Sequence, residues 1–308
     1  MSDSGRVRAK WYIDLAIFSV FASWAVAFVV IKRALAPGEF SPATFMLLRM
    51  ALSALVMFVI LAMTGQGLGL RGPNLRRMAV VGTCAYGAYY LLFTIGLKYT
   101  TTLDTALIVA TGPVMTAILA PMFKVEHISR REWLGIIICL ATVGAVVLAG
   151  VHGGKAEAGQ TPRWDMGRLV GDLILLVAAC CWALNGILSK PVLADVGATK
   201  VAAYANLFAT AMMLVFCLPF MGRQDWSSIS PAAWWCFAYA VMPATTLTVI
   251  LFYYGIKKVG PTRTIIYQNT MPLITAILGL LFLGEGINVV QVIGMVTIFI
   301  GVYLTRTG

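Results

Sequence analysis

The chain has 308 residues, of which 60% are hydrophobic and only 11% are charged, and its formal net charge is +11. A soluble domain carries about 25% charged residues, so this composition excludes a typical water-soluble protein. The basic residues flank apolar runs rather than forming a patch, which argues against a nucleic-acid partner. The mean hydropathy of +0.88 and apolar runs of about 20 residues predict an all-α membrane protein that crosses the lipid many times.

Ten apolar spans follow one another along the chain, and most of the connections between them are short. The longest connection, 151–167, is rich in glycine and polar residues. The predicted spans are 11–35, 42–64, 75–98, 103–123, 130–150, 168–190, 199–220, 231–256, 262–283 and 287–305.

The second half of the chain repeats the first. Residues 111–126 align without a gap with residues 270–285 at an offset of 159, and the first span matches the sixth at an offset of 158. Such self-similarity indicates two copies of one structural unit. We therefore predict a five-span unit in residues 1–150, a connecting loop in 151–167 and a second five-span unit in 168–308. The identical pairs include Trp24/Trp182, Lys32/Lys190, Thr111/Thr270, Pro113/Pro272 and Glu126/Glu285.

Because five is odd, the second unit enters the membrane from the opposite side, so the two units are predicted to be inverted repeats around a central cavity. Loop charges orient the chain, since cytoplasmic loops carry the excess of Lys and Arg. With the N-terminus inside, the cytoplasmic side has 15 such residues and the opposite side has 7, which predicts that both termini are cytoplasmic. The 15 are Arg6, Arg8, Lys10, Arg71, Arg76, Arg77, Lys124, Arg130, Arg131, Lys190, Lys200, Lys257, Lys258, Arg263 and Arg306; the 7 are Lys32, Arg33, Lys98, Lys155, Arg163, Arg168 and Arg223.

Several residues together resemble a known family. They are Trp24 and Lys32 in the first span, Arg49 in the second, Gly96–Tyr99 after the third, Gly112-Pro113, Glu126 and Gly135. The set resembles the EamA family of the drug/metabolite transporter superfamily, and the chain looks like that superfamily's exporters of aromatic and neutral amino acids. The resemblance implies ten transmembrane helices in two inverted five-helix repeats and the export of small metabolites. One departure is Asn206, or Leu207, where the seventh span would have repeated Arg49.

Two aromatic and polar stripes are candidates for the wall of a substrate cavity. Tyr86, Tyr90 and Phe93 share one helical face of the third span, and Trp182 and Asn185 share one face of the sixth. Phenol and indole donors need partners in a hydrocarbon environment, which favours a cavity, although packing in an ordinary core is an equal alternative. Trp24, the repeat counterpart of Trp182, is predicted to approach the same axis from the opposite side.

Two prolines interrupt the fourth and ninth spans at equivalent positions. Pro113 and Pro272 remove backbone donors and leave the carbonyls of Val109 and Gln268 without their usual partners. A kink within a packed core is one explanation, but the duplication favours a hinge beside a cavity. Gln268 is too polar to face lipid and is predicted to line that cavity.

Arg49 lies seven residues inside the second span, roughly 10 Å deep at 1.5 Å per residue. A charge at that depth suggests contact with a substrate carboxylate. The alternative, favoured because the arginine is part of the family pattern whatever the substrate, is that Arg49 snorkels to the surface or caps a neighbouring helix end.

No Asp or Glu falls in the middle of a span, so we expect export down a gradient rather than exchange for protons at a buried carboxylate. The chain has no phosphate-binding Gly-Lys loop and no zinc motif, which predicts a non-enzyme without cofactor or metal. The predicted function is export of amino acids by alternating access across a bacterial-type inner membrane, with membrane lipid and the small-molecule substrate as partners and no obligatory protein partner. Export of another small metabolite or a drug is the alternative; an intramembrane enzyme or a receptor would need a polar constellation or an extramembrane domain that the sequence lacks.

Overall fold

The computed structural model describes residues 3–119, 122, 133–134, 137–138, 141–142, 145, 166–259, 264, 266–283 and 289–307. The predicted fifth span therefore falls largely outside the described residues, as do Glu126, Gly135 and Glu285. Within the described residues the secondary structure is helical and contains no β-strand. This confirms the all-α class.

The first half begins with two long helices, α1 (Asp3–Ala34) and α2 (Pro42–Met63). A third long helix consists of α3 (Pro73–Val80), a π-helical segment (Val81–Gly87) and α4 (Ala88–Tyr99). The next helix is broken into α5 (Thr102–Val109) and α6 (Gly112–Leu119). The break lies immediately before Pro113, whose missing N–H cannot continue the hydrogen-bond ladder.

The second half has corresponding elements. It begins with two long helices, α7 (Met166–Asp195) and α8 (Ala198–Met221). A third long helix consists of α9 (Pro231–Val241), a π-helical segment (Met242–Leu247) and α10 (Thr248–Val259). A 3₁₀ turn (Ile266–Thr270) then leads into α11 (Met271–Leu283), and α12 (Val289–Thr307) follows. The two π-helical segments occupy repeat-equivalent positions, as do the irregular turns before Pro113 and Pro272. Single π-helical turns are rare and concentrate at functional sites.

Local sequence explains where several of these helices begin. Ser41 and Ser230 precede Pro42 and Pro231, and each serine hydroxyl accepts a hydrogen bond from a backbone N–H three residues later, at 3.2 Å. Serine as the capping residue followed by proline in the first turn is a favoured helix start. Thr101 caps α5 in the same way.

Six helices of the described part of the chain are long and apolar enough to cross a membrane, namely Tyr12–Ala34, Pro42–Met63, Pro73–Tyr99, Met166–Asp195, Ala198–Met221 and Pro231–Lys258. Many of their large apolar side chains point away from the protein interior, such as Leu55 and Phe216. A soluble protein does not expose so much apolar surface, whereas a lipid-facing helix does. The protein is therefore a multi-pass membrane protein.

Some contacts between the two halves occur twice, once at each of two repeat-equivalent positions. Gly96 packs against Leu175, and its repeat counterpart Gly255 packs against Ile17, the counterpart of Leu175. The short approach requires glycine, because a Cβ at position 96 would lie 2.7 Å from the Leu175 side chain. Such exchanged pairs are what a two-fold relation between the halves would produce.

A second exchanged pair is polar. Arg49 of α2 donates from Nε to the hydroxyl of Thr245 at 2.7 Å. Asn206 of α8, one of the two residues at which the seventh span could repeat Arg49, donates from Nδ2 to the hydroxyl of Tyr86 at 3.0 Å, and Tyr86 is the counterpart of Thr245. Each acceptor lies in a π-helical segment.

A buried ionic network joins the two halves where α5, α7 and α12 begin. The Asp104 carboxylate is inaccessible to solvent. It accepts hydrogen bonds from Nε of Arg168 at 3.0 Å, from Nη2 of the same residue, and from Nε2 of Gln291 at 2.7 Å. A buried carboxylate requires this degree of pairing, since an unpaired charge would carry a large desolvation cost.

The α1–α2 loop and the α8–α9 loop are also joined. Glu39 accepts from the backbone N–H and the hydroxyl of Ser230 at 2.8 and 2.7 Å, and it pairs with Arg33 at 3.4 Å. The hydrogen bonds from Ser230 are the main reason that the pKa of the Glu39 carboxyl lies below its ordinary value. This contact is therefore complete above the ordinary pKa of a glutamate, about 4.3, and weakens as the pH falls through the lowered pKa.

Candidate functional site

A cavity lies between helices of the two halves. Its lining comprises apolar side chains, aromatic rings and two strongly polar groups, and both halves contribute. The lining residues are Trp24, Ala27, Phe28, Ile31, Arg49, Tyr89, Tyr90, Phe93, Val109, Trp182, Gln268 and Met271. Mostly apolar walls with a few converging polar groups are typical of small-molecule sites.

Two tryptophans form the centre of the aromatic wall. The rings of Trp24 and Trp182 meet edge to face with centroids 5.3 Å apart. Tyr89 packs on Trp182 at 4.7 Å, and Phe252 of α10 packs on both tryptophans. Trp24 and Trp182 are repeat counterparts, so their contact is one between equivalent positions of the two halves. The edge-to-face arrangement is one that aromatic quadrupoles favour.

The two indole N–H groups differ in their partners. Trp24 donates to the carbonyl of Ala244 at 3.0 Å and to the hydroxyl of Thr248 at 2.8 Å. Among the described residues, no acceptor binds the indole N–H of Trp182. Trp24 is thus held by the protein, whereas Trp182 offers both a ring and a donor to an occupant of the cavity.

Arg49 is a buried cation, 2% exposed. Its guanidinium lies over the ring of Tyr90, 5.0 Å from the centroid, and its Nε is bound to Thr245. Thr245 in turn donates to the carbonyl of Ala240 at 2.7 Å. The expectation that Arg49 snorkels or caps a helix end was wrong. Its side chain runs inward because the Thr245 hydroxyl in the π-helical segment accepts from Nε, and the terminal Nη1 is left without a hydrogen bond in the described structure.

Gln268 satisfies the carbonyl that Pro113 leaves free. Its Nε2 donates to the Val109 carbonyl, which has lost the usual helical partner because Pro113 has no N–H. An unsatisfied carbonyl at membrane depth costs several kcal/mol, so this contact stabilises the break between α5 and α6. The other end of the amide, Oε1, is buried and has no hydrogen bond among the described residues.

Gly112 makes room for that amide. A Cβ at position 112 would lie 3.1 Å from Nε2 and 3.2 Å from Oε1 of Gln268. We expect Gly112→Ala to displace the amide and weaken a hydrogen bond of about 1 kcal/mol, which would lower the transport predicted from the sequence roughly fivefold.

The matched control for this prediction is Gly222→Ala. Gly222 has helical backbone angles, and a Cβ added there would meet no atom within 4 Å, so transport is expected to be unchanged. Equal transport by both alanine variants would show that the Gly112–Gln268 contact has no functional role.

The residues proposed from the sequence fall into two groups. Trp24, Tyr90, Trp182 and Gln268 line the cavity. Tyr86 and Asn185 are buried behind its wall, where Tyr86 accepts from Asn206 and Asn185 accepts from the hydroxyl of Tyr253 at 2.9 Å. Tyr86 packs against Tyr90, with ring centroids 4.9 Å apart, so the two share a face as predicted, but of this pair only Tyr90 is among the described residues that line the cavity.

Other lining residues were not singled out from the sequence. Phe28 lies one turn after Trp24, and a stripe at that spacing would have indicated it. Tyr89 and Met271 have no such signal, because their direction depends on the π-helical segment before α4 and on the 3₁₀ turn before α11.

The cavity is narrow in this conformation. Water-molecule centres have about 20 Å³ of space, which is room for one or two ordered waters. A larger solute can enter only if the walls contributed by the two halves separate. Long apolar helices from two repeated halves that close on a polar, aromatic-walled cavity are the architecture of a membrane transporter for small solutes.

Sequence comparison shows the family to which this chain belongs. The sequence model of the EamA-like transporter family matches residues 11–148 and again residues 169–307. The chain therefore belongs to the EamA-like transporter family, part of the drug/metabolite transporter superfamily. The family resemblance predicted from the sequence is confirmed.

Individual relatives agree with this assignment. The chain is 31% identical over 301 residues to the uncharacterized transporter YyaM of Bacillus subtilis (strain 168), covering 96% of this chain and 93% of the relative. It is 28% identical over 247 residues to a protein named "Probable terminal-alkyne amino-acid exporter" in Streptantibioticus cattleyicolor, covering 79% and 71% of the two chains. A solved crystal structure with 15% identity aligns over 96% of both chains with a TM-score of 0.69, which supports the fold alone.

Proposed function

We propose that this transporter exports amino acids, aromatic and neutral ones included, across a bacterial inner membrane by alternating access. The observation that carries the proposal is the pairing of two unsatisfied polar atoms, Nη1 of Arg49 and Oε1 of Gln268, in one aromatic-walled cavity. A guanidinium donor suits a carboxylate, and an amide oxygen suits an ammonium group. The rings of Tyr89, Tyr90 and Trp182 offer surface for an apolar or aromatic side chain.

The similarity to a protein named as an amino-acid exporter supports the same substrate class. The absence of an acidic side chain among the cavity-lining residues supports it as well. A cavity for cationic drugs would need a carboxylate near the bound charge, and a nucleotide cavity would need several basic side chains where this cavity has Arg49.

For the architecture we propose ten transmembrane helices in two inverted repeats, residues 1–150 and 168–308, joined by 151–167. The repeat-equivalent π-helical segments and the exchanged pairs Arg49–Thr245 and Asn206–Tyr86 support it. Rocking of one half against the other would separate Trp24 from Trp182. Pro113 and Pro272, beside the irregular turns, are the proposed hinges.

The proposed topology predicts the positions of two loops. Reporter fusions after Thr64 and after Met221 should report opposite sides of the membrane, the first cytoplasmic, because the excess of loop cations places both termini inside. Reporters on the same side would contradict the inverted arrangement.

The proposed function is tested by counterflow in liposomes that contain the purified protein. Liposomes preloaded with unlabelled phenylalanine should take up labelled phenylalanine or threonine without an imposed pH or sodium gradient, because the described residues that line the cavity include no acidic side chain to couple a proton. Protein-free liposomes are the control. If neither amino acid exchanges while a different solute does, the chain exports that other metabolite or drug; strict dependence on a gradient would contradict the uncoupled mechanism.

A further inference from the structure

Among the described residues that line the cavity, Arg49 carries the one formal charge, and no described carboxylate forms a salt bridge with it. Among the described residues, Asp104 is bound to Arg168 and Glu39 to Arg33, and neither carboxylate pairs with Arg49. Arg49 contacts only a neutral hydroxyl and a ring. A buried cation with an unused donor is an unfavourable arrangement unless an anion completes it.

The planar shape of the Arg49 guanidinium indicates which kind of anion would bind. Guanidinium nitrogens form a planar fork that matches the two oxygens of a carboxylate. Thr245 and the Tyr90 ring fix Nε and one face of the guanidinium, so the fork is oriented before a ligand arrives. Preorganisation of this kind raises affinity because less motion is lost on binding.

The other strongly polar group in the cavity wall, Gln268, is a much weaker partner for a substrate charge. Gln268 offers a neutral amide oxygen to an ammonium group, and its nitrogen is already committed to the Val109 carbonyl. A carboxylate on Arg49 would form a pair in which both partners are ionised and two parallel hydrogen bonds are possible, whereas an ammonium group on Gln268 would donate to one neutral oxygen. A carboxylate therefore gains more from this cavity than an ammonium group does.

The two halves also differ at the position of the charge. The second half has Asn206 or Leu207 in place of the arginine, and Nδ2 of Asn206 is bound to Tyr86 and to the Ala202 carbonyl. A bound anion would therefore meet a cationic side chain from one half, Arg49 of α2, and not from both. The substrate has a single orientation in the cavity.

We propose that the carboxylate is the group that the cavity requires and that the amino group is dispensable, so the substrates are monocarboxylates with an apolar or aromatic side chain. This inference rests on the proposed function, since it names the part of the amino acid that is recognised. It predicts that a deaminated acid binds and that an amine or an amide of the same skeleton does not.

The test uses four compounds with one aromatic ring: phenylalanine, 3-phenylpropionate, phenylalaninamide and phenethylamine. In counterflow of labelled phenylalanine, 3-phenylpropionate should compete within about tenfold of unlabelled phenylalanine. The amide and the amine should compete at least about 100-fold less well, because two charge-assisted hydrogen bonds are lost. Competition by the amide or the amine but not by the acid would overturn the proposal.

A second measurement separates this inference from the proposed function. The melting temperature of the purified protein should rise with 3-phenylpropionate, since a ligand that binds only the folded state stabilises it, and should not rise in Arg49→Gln. Stabilisation by the acid without phenylalanine exchange would keep the carboxylate site and reject amino-acid export. Phenylalanine exchange without any effect of the acid would keep export and reject the carboxylate requirement, and no stabilisation together with no exchange would reject both.

Discussion

Arg49→Gln is expected to reduce phenylalanine counterflow by about 100-fold while the protein stays folded. The substitution removes the cationic donors but leaves a side chain that fits the same space. Losing a charged partner for a buried carboxylate costs about 2–5 kcal/mol, and each 1.4 kcal/mol is about tenfold in affinity. The melting temperature of the ligand-free protein should be unchanged or higher, because the buried cation has no anionic partner in the described structure and its desolvation is unfavourable.

Two further variants isolate the cause. Arg49→Lys keeps the charge but loses the planar fork, so it should recover only part of the transport. Arg76→Gln removes one positive charge from an exposed position and should transport normally. If Arg49→Gln transports at the wild-type rate, or if its loss of transport is matched by a loss of folded protein, Arg49 is a structural residue and not a binding residue.

Arg168→Ala is expected to have the second largest effect, but on stability rather than on recognition. Without Arg168, the buried Asp104 carboxylate keeps the Gln291 amide, at 2.7 Å, as its close side-chain donor. Removing one partner of a buried ion pair costs about 3–5 kcal/mol. Detergent-solubilised Arg168→Ala should therefore give a low yield of folded protein and a clearly lowered melting temperature.

The double variant Asp104→Asn with Arg168→Ala identifies the ion pair as the cause. With the charge removed from both residues, no uncompensated anion remains, so much of the stability should return. The free energies of unfolding of wild type, both single variants and the double variant give the coupling energy. A double variant that is as unstable as the sum of the two single ones would mean that the two side chains act independently.

The sequence was a good guide to the long helices, because their ends are set by local chemistry. Ser41-Pro42 and Ser230-Pro231 are starts that a reader of the sequence can recognise, and both were within one residue of the predicted span. The π-helical segments were not predictable in this way. Their side-chain bonds to carbonyls five residues back, such as those of Thr245 and Thr246, depend on packing against α2.

The site was predictable where the repeat fixed it. Trp24 and Trp182 are counterparts and were expected near one axis, and the duplicated prolines indicated where backbone groups would be free. The position of a residue along its helix, by contrast, does not predict which residue of another helix its side chain will contact. Arg49 was expected to reach the surface or to cap a neighbouring helix end, whereas its Nε donates to the hydroxyl of Thr245, 196 residues away in sequence.

The most direct test of the central claim is to find where an amino acid binds. Purified protein would be irradiated with labelled 4-azidophenylalanine, digested and mapped by mass spectrometry, with excess phenylalanine as the competitor. The expected result is label that phenylalanine suppresses in peptides carrying Trp182, Tyr89 or Met271, with the label lost in Arg49→Gln. Label confined to lipid-facing peptides such as that of Phe216, and unaffected by phenylalanine, would contradict an amino-acid site between the two halves.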